Sequence, residues 1–203
     1  MRQAKVDYKI EYGRADQIAG LLKDISARKG IGDILSKGIV NASKEWGMAD
    51  QAIHVKGLEP AGYDPRILKG MGLAYGTSPR GACHLRSTFY KPELSKMIDP
   101  DTIDGKAEMF IEWEELSQII KGITGLDLDK ESMRKIAAGI SNDTRRFNLR
   151  EGLGPEDDLL PRRFHKEALP ETNKVITEEA MKQLLNEYYK ARGWDGNGLL
   201  AEK

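Results

Sequence analysis

The chain is predicted to be all-α, an irregular multi-helix body, on three observations. Apolar residues recur at three- and four-residue spacing in several separate stretches, the period of a helix with one buried face. Residues that cap or stop helices flank those stretches. No stretch reads convincingly as part of a sheet.

Arg14 to Lys29 reads as an amphipathic helix carrying Ile18, Leu21, Leu22 and Ile25, with Gly30 as its stop. Asp33 is placed to cap a second helix with Ile34, Leu35, Ile39, Ala42 and Trp46, which Gly47 ends. Ala52 to Val55 reads as a short extended piece, and Pro60 and Pro65 punctuate the entry to a glycine-rich region. Helical turns are expected over Ile67 to Tyr75, although glycine there disfavours them. A turn at Asp99-Pro100-Asp101 leads into a long helix through Ala107, Phe110, Trp113, Ile119 and Ile120, ending near Gly125. Asp129 caps the next, whose apolar face is Met133, Ile136, Ala137, Ile140 and Phe147. Residues 152–175 lack periodicity and read as an irregular surface strap. Thr177 caps a last helix with Met181, Leu184, Leu185 and Tyr188 inward, and Gly193 ends it.

At 203 residues the chain can bury roughly 70% of its unfolded surface in one domain or two small ones. Lysine plus arginine equals aspartate plus glutamate at 32 each, so formal net charge is zero. A polyanion binder working by bulk electrostatics is disfavoured, and the scattered aromatics form no basic stacking platform for nucleic acid. No apolar run of about 18 residues is present, so no membrane association is expected. The first residues lack the apolar core of a signal peptide, and a single cysteine cannot form an internal disulfide. Both point to a reducing cytoplasm.

The most informative stretch is Gly57 to Arg86, GLEPAGYDPRILKGMGLAYGTSPRGACHLR, rich in glycine yet carrying Arg66, Lys69, Arg80 and Arg86. Glycine costs backbone entropy in an ordered element, so its concentration implies tight helix contacts or close approach to an anion. Within RGACHLR, glycine beside arginines allows backbone N–H groups and guanidinium forks to converge on phosphate oxygens. The alternative is that the loop arginines pair with nearby carboxylates and Cys83 is a small core residue. His84 suits proton transfer near neutrality, or is simply a satisfied histidine; His54 and His165 lack comparable context.

GLEPAGYDPR, KGMGLAYGTSPRGACHLR, RRFNLREGLGPEDDLLPRRF and LLNEYYKARGWDG together resemble the C-terminal helical domains of the tungsten-containing aldehyde:ferredoxin oxidoreductases. The resemblance runs over nearly the whole chain and implies an ancestral activity: aldehyde plus water to carboxylic acid, with electrons passed to ferredoxin. It implies a tungstopterin (bis-pterin) cofactor and a 4Fe-4S cluster. By the resemblance, Arg80, Gly81 and Arg86 occupy cofactor-contacting positions, His84 matches the active-site histidine, and Tyr63 matches a substrate-pocket tyrosine. Residues 1–56 correspond to a helical hairpin left from the family's middle domain. Residues 57–203 then form the C-terminal domain, the two making separate parts or one compact unit.

Four thiolates hold such a cluster, and this chain has one. The family's aspartate–cysteine segment between the long helix and the next has no counterpart in GKAEMFIEWEELSQIIKGITG, which reads as an internal deletion joined near Glu112 to Glu115. Glu112, Glu114 and Glu115 themselves read as a solvated helix face without metal-ligand spacing. No metal ligand is therefore expected from this chain, and neither cofactor is expected on it alone. Three functional readings are open: a truncated family member inactive alone, a subunit of a split enzyme with an N-terminal partner polypeptide, or a non-catalytic helical interaction domain. The last predicts exposed apolar surface around residues 57 to 90 and homodimerisation through it.

Overall fold

The computed structural model describes Tyr8 and residues 10–87, 89–94 and 112–200. The Asp99-Pro100-Asp101 turn and the part of the long helix holding Ala107 and Phe110 lie outside them. Among the described residues there is no strand; the β-bridges there are isolated, Val55 with Leu58 and Trp194 with Leu200. The all-α expectation holds.

Helix α1 spans Ala15–Ala27 and ends at Arg28, whose φ of 50° turns the chain. The single second helix expected from the sequence is two: α2, Ile31–Leu35, and α3, Gly38–Glu45. Gly38 has φ +80°, so the chain cannot continue one helix across it. Asp33 lies within α2 rather than capping it, and its carboxylate pairs with Lys37 at 3.1 Å. Helix α4, Lys69–Thr77, forms despite three glycines because every residue from Gly70 to Gly76 is buried. Tertiary packing overrides helix propensity here. A Cβ at Gly72 would meet Ile176, Pro65 and Leu160 within 3.1–3.3 Å, and one at Gly76 would strike the Asp158 carbonyl. The glycines thus serve close packing of α4 against the chain around it.

Helix α5 is Tyr90–Leu94, α6 Trp113–Thr124 and α7 Lys130–Arg150. Asp129 caps α7 by accepting from the Ser132 N–H at 2.8 Å, and Gly125 closes α6 with φ +76°. The inward face of α7 differs from expectation. Met133 is buried, but Ile136, Ile140 and Phe147 are 49%, 63% and 53% exposed. Arg145 and Asn148 are buried instead, each held by polar partners.

The 152–175 strap is corrected too. It holds a 3₁₀ turn, Pro155–Asp158, and helix α8, Arg162–Lys166. Asp158, Leu160 and Phe164 are almost fully buried, so this stretch is core and not surface. Helix α9, Glu178–Ala191, is capped by Thr177 and buries Met181, Leu185 and Tyr189. One core gathers Val55, Met71, Leu73, Tyr75, Ala82, Leu160, Phe164, Ile176, Met181 and Tyr189. Its centre is a polar knot. Asp158 accepts from Lys56 Nζ at 2.8 Å, Arg145 Nη1 at 2.9 Å and the Tyr189 hydroxyl at 2.6 Å.

Candidate functional site

The loop that follows α4 is set by packing on two sides. Asn148 Nδ2 of α7 donates to the Pro79 carbonyl at 2.8 Å. Gly81 has φ +97°, and a Cβ there would run into the Val55 carbonyl oxygen. The requirement for glycine at 81 is therefore met by the Val55–Leu58 turn pressing on its backbone. Cys83 is buried, a free thiol in the loop's interior.

Tyr63, His84 and Tyr90 form one aromatic group. Tyr63 stacks on Tyr90 at 4.4 Å between ring centres, and His84 lies 5.6 Å from Tyr63 and 6.4 Å from Tyr90. Tyr75, fully buried, donates its hydroxyl to the carbonyls of Ala61 (3.3 Å) and Tyr63 (3.2 Å), which fixes the turn bearing Tyr63. Burial pushes the Tyr75 hydroxyl up to about 12, so it stays a donor at physiological pH. On the far side, Glu93 of α5 accepts from the Gly70 N–H at 2.7 Å and the Met71 N–H at 3.2 Å, pinning α5 to the first turn of α4. Burial raises its carboxyl above the ordinary glutamate value. Sequence reasoning does not single out Tyr75, Tyr90 or Glu93. Tyr90 and Glu93 come from a short stretch with no periodic signal, and Tyr75 reads as one more apolar residue of a helix.

The basic residues divide sharply. Arg66 is tied down, forked onto Asp64 (2.9 and 2.6 Å), donating to the Glu167 carbonyl at 2.8 Å and lying over Phe164. Arg80 and Arg86 are exposed, and neither has a carboxylate partner among the described residues. The alternative in which the loop arginines serve as ordinary ion-pair members is not what forms there. Arg86 borders a cleft of about 370 Å³ between α4, α7 and α9, together with Ser78, Ser87, Thr144 and Trp194. Tyr63 and His84 do not line that cleft, so the sequence-derived site splits into an aromatic pair and an arginine-bordered hollow. His54 and His165 are structurally engaged: His54 Nδ1 accepts from the Gly57 N–H, and His165 Nδ1 sits 2.7 Å from the Ile176 carbonyl.

Elsewhere a group of aromatic residues packs at the end of α9. Tyr188, Tyr189 and Trp194 have ring centres 5.7–6.2 Å apart, with the Arg145 guanidinium 5.3 Å from the Trp194 ring. Glu112, Glu114 and Glu115 are exposed. Among the described residues no three histidine, cysteine, aspartate or glutamate side chains converge as a metal site, and no helix is long and apolar enough to cross a membrane.

The described residues form an all-helical body whose glycine-rich loop carries exposed Arg80 and Arg86, with the Tyr63–His84 pair apart from the cleft that Arg86 borders. The profile for aldehyde ferredoxin oxidoreductase, domains 2 and 3, matches residues 1–121 and 110–203. The chain belongs to that family. A tungsten-containing aldehyde ferredoxin oxidoreductase of Pyrococcus furiosus is 32% identical over 219 residues, covering 95% of this chain and 36% of the relative. The Thermococcus kodakarensis protein of the same description is 32% identical over 214 residues, covering 92% of this chain and 35% of its own length. The chain thus spans about a third of the relatives it matches. A solved structure described as the active-site complex BamBC of benzoyl coenzyme A reductase with 1,5-dienoyl-CoA aligns over 98% of this chain and 39% of its own. Its TM-score is 0.62 at 20% sequence identity, a likeness of fold.

Proposed function

We propose that this chain supplies the helical, pterin-facing portion of a tungstopterin aldehyde:ferredoxin oxidoreductase and does not turn over by itself. The observation that carries the reading is the family match to domains 2 and 3 combined with one cysteine, which is buried. One enclosed thiol does not fit a four-thiolate cluster. The exposed guanidinium groups of Arg80 and Arg86, without a carboxylate partner among the described residues, do fit the anionic part of a pterin cofactor. Supporting the expected shortening, the Pyrococcus furiosus alignment has 219 positions against 203 residues here, so that relative carries internal residues without counterpart. The two matched stretches overlap at 110–121, the place of the expected join at Glu112 to Glu115. Residues 1–56 would then be the middle-domain remnant and 57–203 the C-terminal domain, working in the cytoplasm.

In this reading the reaction is aldehyde plus water to carboxylic acid, releasing two electrons and two protons. The bound tungstopterin would supply the two-electron acceptor, and a 4Fe-4S cluster on the partner polypeptide would pass the electrons to ferredoxin. Gly81 would keep the loop backbone close-packed while Arg80 and Arg86 hold the cofactor's negative charge. His84 would take a proton as water adds to the carbonyl carbon, and Tyr63, stacked against Tyr90, would orient the aldehyde.

The test is co-expression with the family polypeptide that carries the remaining domains from the same genome, followed by metal analysis of the co-purified material. Stoichiometric tungsten and iron with ferredoxin-linked aldehyde oxidation, lost in His84→Ala by about 10²-fold or more, supports the proposal. Tungsten and iron bound to the isolated chain with full activity would overturn its dependence on a partner. Failure to co-purify or to take up metal would instead favour the second reading, a non-catalytic helical interaction domain.

A further inference from the structure

The apolar surface expected around residues 57–90 is mostly interior; of the large apolar side chains described there, Ile67 and Leu85 are the exposed ones. What that segment does present is one wall of the cleft of about 370 Å³ between α4, α7 and α9. The apolar lining is Leu73, Phe89, Ile140, Tyr188 and Trp194. The charged lining is Arg86 and Arg145, and none of the described lining residues is acidic. Arg145 is 6% exposed and shares the Asp158 carboxylate with Lys56, so one anion faces two cations and the wall stays positive. Arg86 is exposed and has no carboxylate partner among the described residues. Two buried polar atoms of lining residues, Ser78 Oγ and Arg145 Nη2, have no hydrogen-bond partner among the described residues. Buried polar groups are satisfied in the great majority of folded proteins, and both of these atoms can donate. The cleft therefore combines unspent donors and positive charge with an apolar wall.

We propose that this cleft binds a small monocarboxylate with an apolar body. The ligand's carboxylate accepts from the Arg86 guanidinium within the field of Arg145, and its hydrocarbon or aromatic part lies against Trp194, Tyr188 and Ile140. An ionised carboxylate is acceptor-only and matches a guanidinium fork, so it complements a lining whose unpaired groups are donors. A bare inorganic anion would leave the apolar wall wet, and Ile140, 63% exposed, uncovered. The volume lies at the small end of ligand pockets, roughly 300–1,000 Å³, which suits an acid of the size of a substituted aromatic ring and not a nucleotide pair. The inference stands apart from the function proposed above. It needs neither tungsten nor a partner polypeptide, and Arg86 is the one residue the two readings share.

The experiment titrates the full 203-residue chain with phenylacetate, read by calorimetry and by amide and indole NMR. Saturable one-to-one binding is expected in the range of about 10–1,000 µM, with shifts at Ser78, Ser87 and the Trp194 indole. Phenylacetamide, with the same shape and no charge, is expected to bind about tenfold more weakly or worse, and so is inorganic phosphate, which lacks the apolar body. Arg86→Gln is expected to weaken phenylacetate by about tenfold or more. Arg80→Gln, at an exposed arginine outside the cleft, is expected to bind like wild type. Should Arg86→Gln fail to fold, the wild-type shift map and the two ligand controls decide the matter. No saturation by about 10 mM phenylacetate overturns the proposal. So do shifts confined to Tyr63 and His84 or to α6, amide or phosphate binding as tight as phenylacetate, and a folded Arg86→Gln that binds like wild type. With no metal or partner in the sample, either result leaves the oxidoreductase reading to its own test.

Discussion

Lys56 Nζ sits 2.8 Å from Asp158 Oδ1, with both side chains 3% exposed or less and 102 positions apart in sequence. Lys56 also donates to the Gly76 carbonyl of α4 and, at 3.0 Å, to that of Asp157. Arg145 and Tyr189 complete the ring around the carboxylate. Two buried cations share one buried anion, so the anion is the residue the fold can least spare. Asp158→Ala leaves Lys56 and Arg145 enclosed without a counter-charge and is expected to destabilise by about 3–5 kcal/mol. Urea unfolding followed by tryptophan fluorescence measures it; a loss under about 1 kcal/mol would refute this account.

Glu93 makes the opposite kind of contribution. Its carboxyl is raised above the ordinary value of 4.5 by burial, against which the two α4 amides work only partly. A carboxyl whose folded value lies above the unfolded one leaves the folded state holding more protons between the two. The associated stability is full below about 4.5 and is lost as pH climbs through the folded value. Glu93→Gln removes this titration. Relative to the variant, wild type should therefore lose ground as pH rises from 4.5, read from unfolding midpoints at half-unit steps.

Gly81→Ala imposes a Cβ on a left-handed backbone and directs it into the Val55 carbonyl. The expected cost is about 1–3 kcal/mol, and Tm should fall by roughly 2–4 °C per kcal/mol for a chain of this length. A thermal melt unchanged within a degree would mean the loop re-forms elsewhere.

Arg80→Ala and Arg86→Ala should each leave stability within about 0.5 kcal/mol, because neither guanidinium has an ion-pair partner among the described residues. Arg66→Ala, by contrast, breaks a forked contact to Asp64 and the bond to the Glu167 carbonyl, and should cost measurably more. The three melts together separate a cation on which the fold depends from two on which it does not.

Helix ends are legible where a side chain closes them: Asp129 and Thr177 are caps in the structure as in the sequence. The body's interior is less so, because a buried ion network looks like solvated charge when read residue by residue. Lys56, Arg145 and Asp158 give no apolar periodicity, so the strap holding Asp158 reads as surface. The same blindness reverses α7, whose apolar stripe reads as inward although Arg145 and Asn148 have the specific partners that draw them in. In the candidate site the sequence marks Tyr63 and His84, which do meet. It does not show that Tyr90, at the start of α5, stacks on Tyr63, since contacts between distant segments leave no local pattern.

Cys83 is the chain's sole thiol and is 4% exposed, two residues beyond the turn at Gly81. A maleimide or aromatic disulfide reagent can reach it only when the structure around it opens, so the labelling rate times that opening. The protein thus carries an intrinsic chemical stopwatch at the edge of its glycine-rich segment, needing no engineered probe.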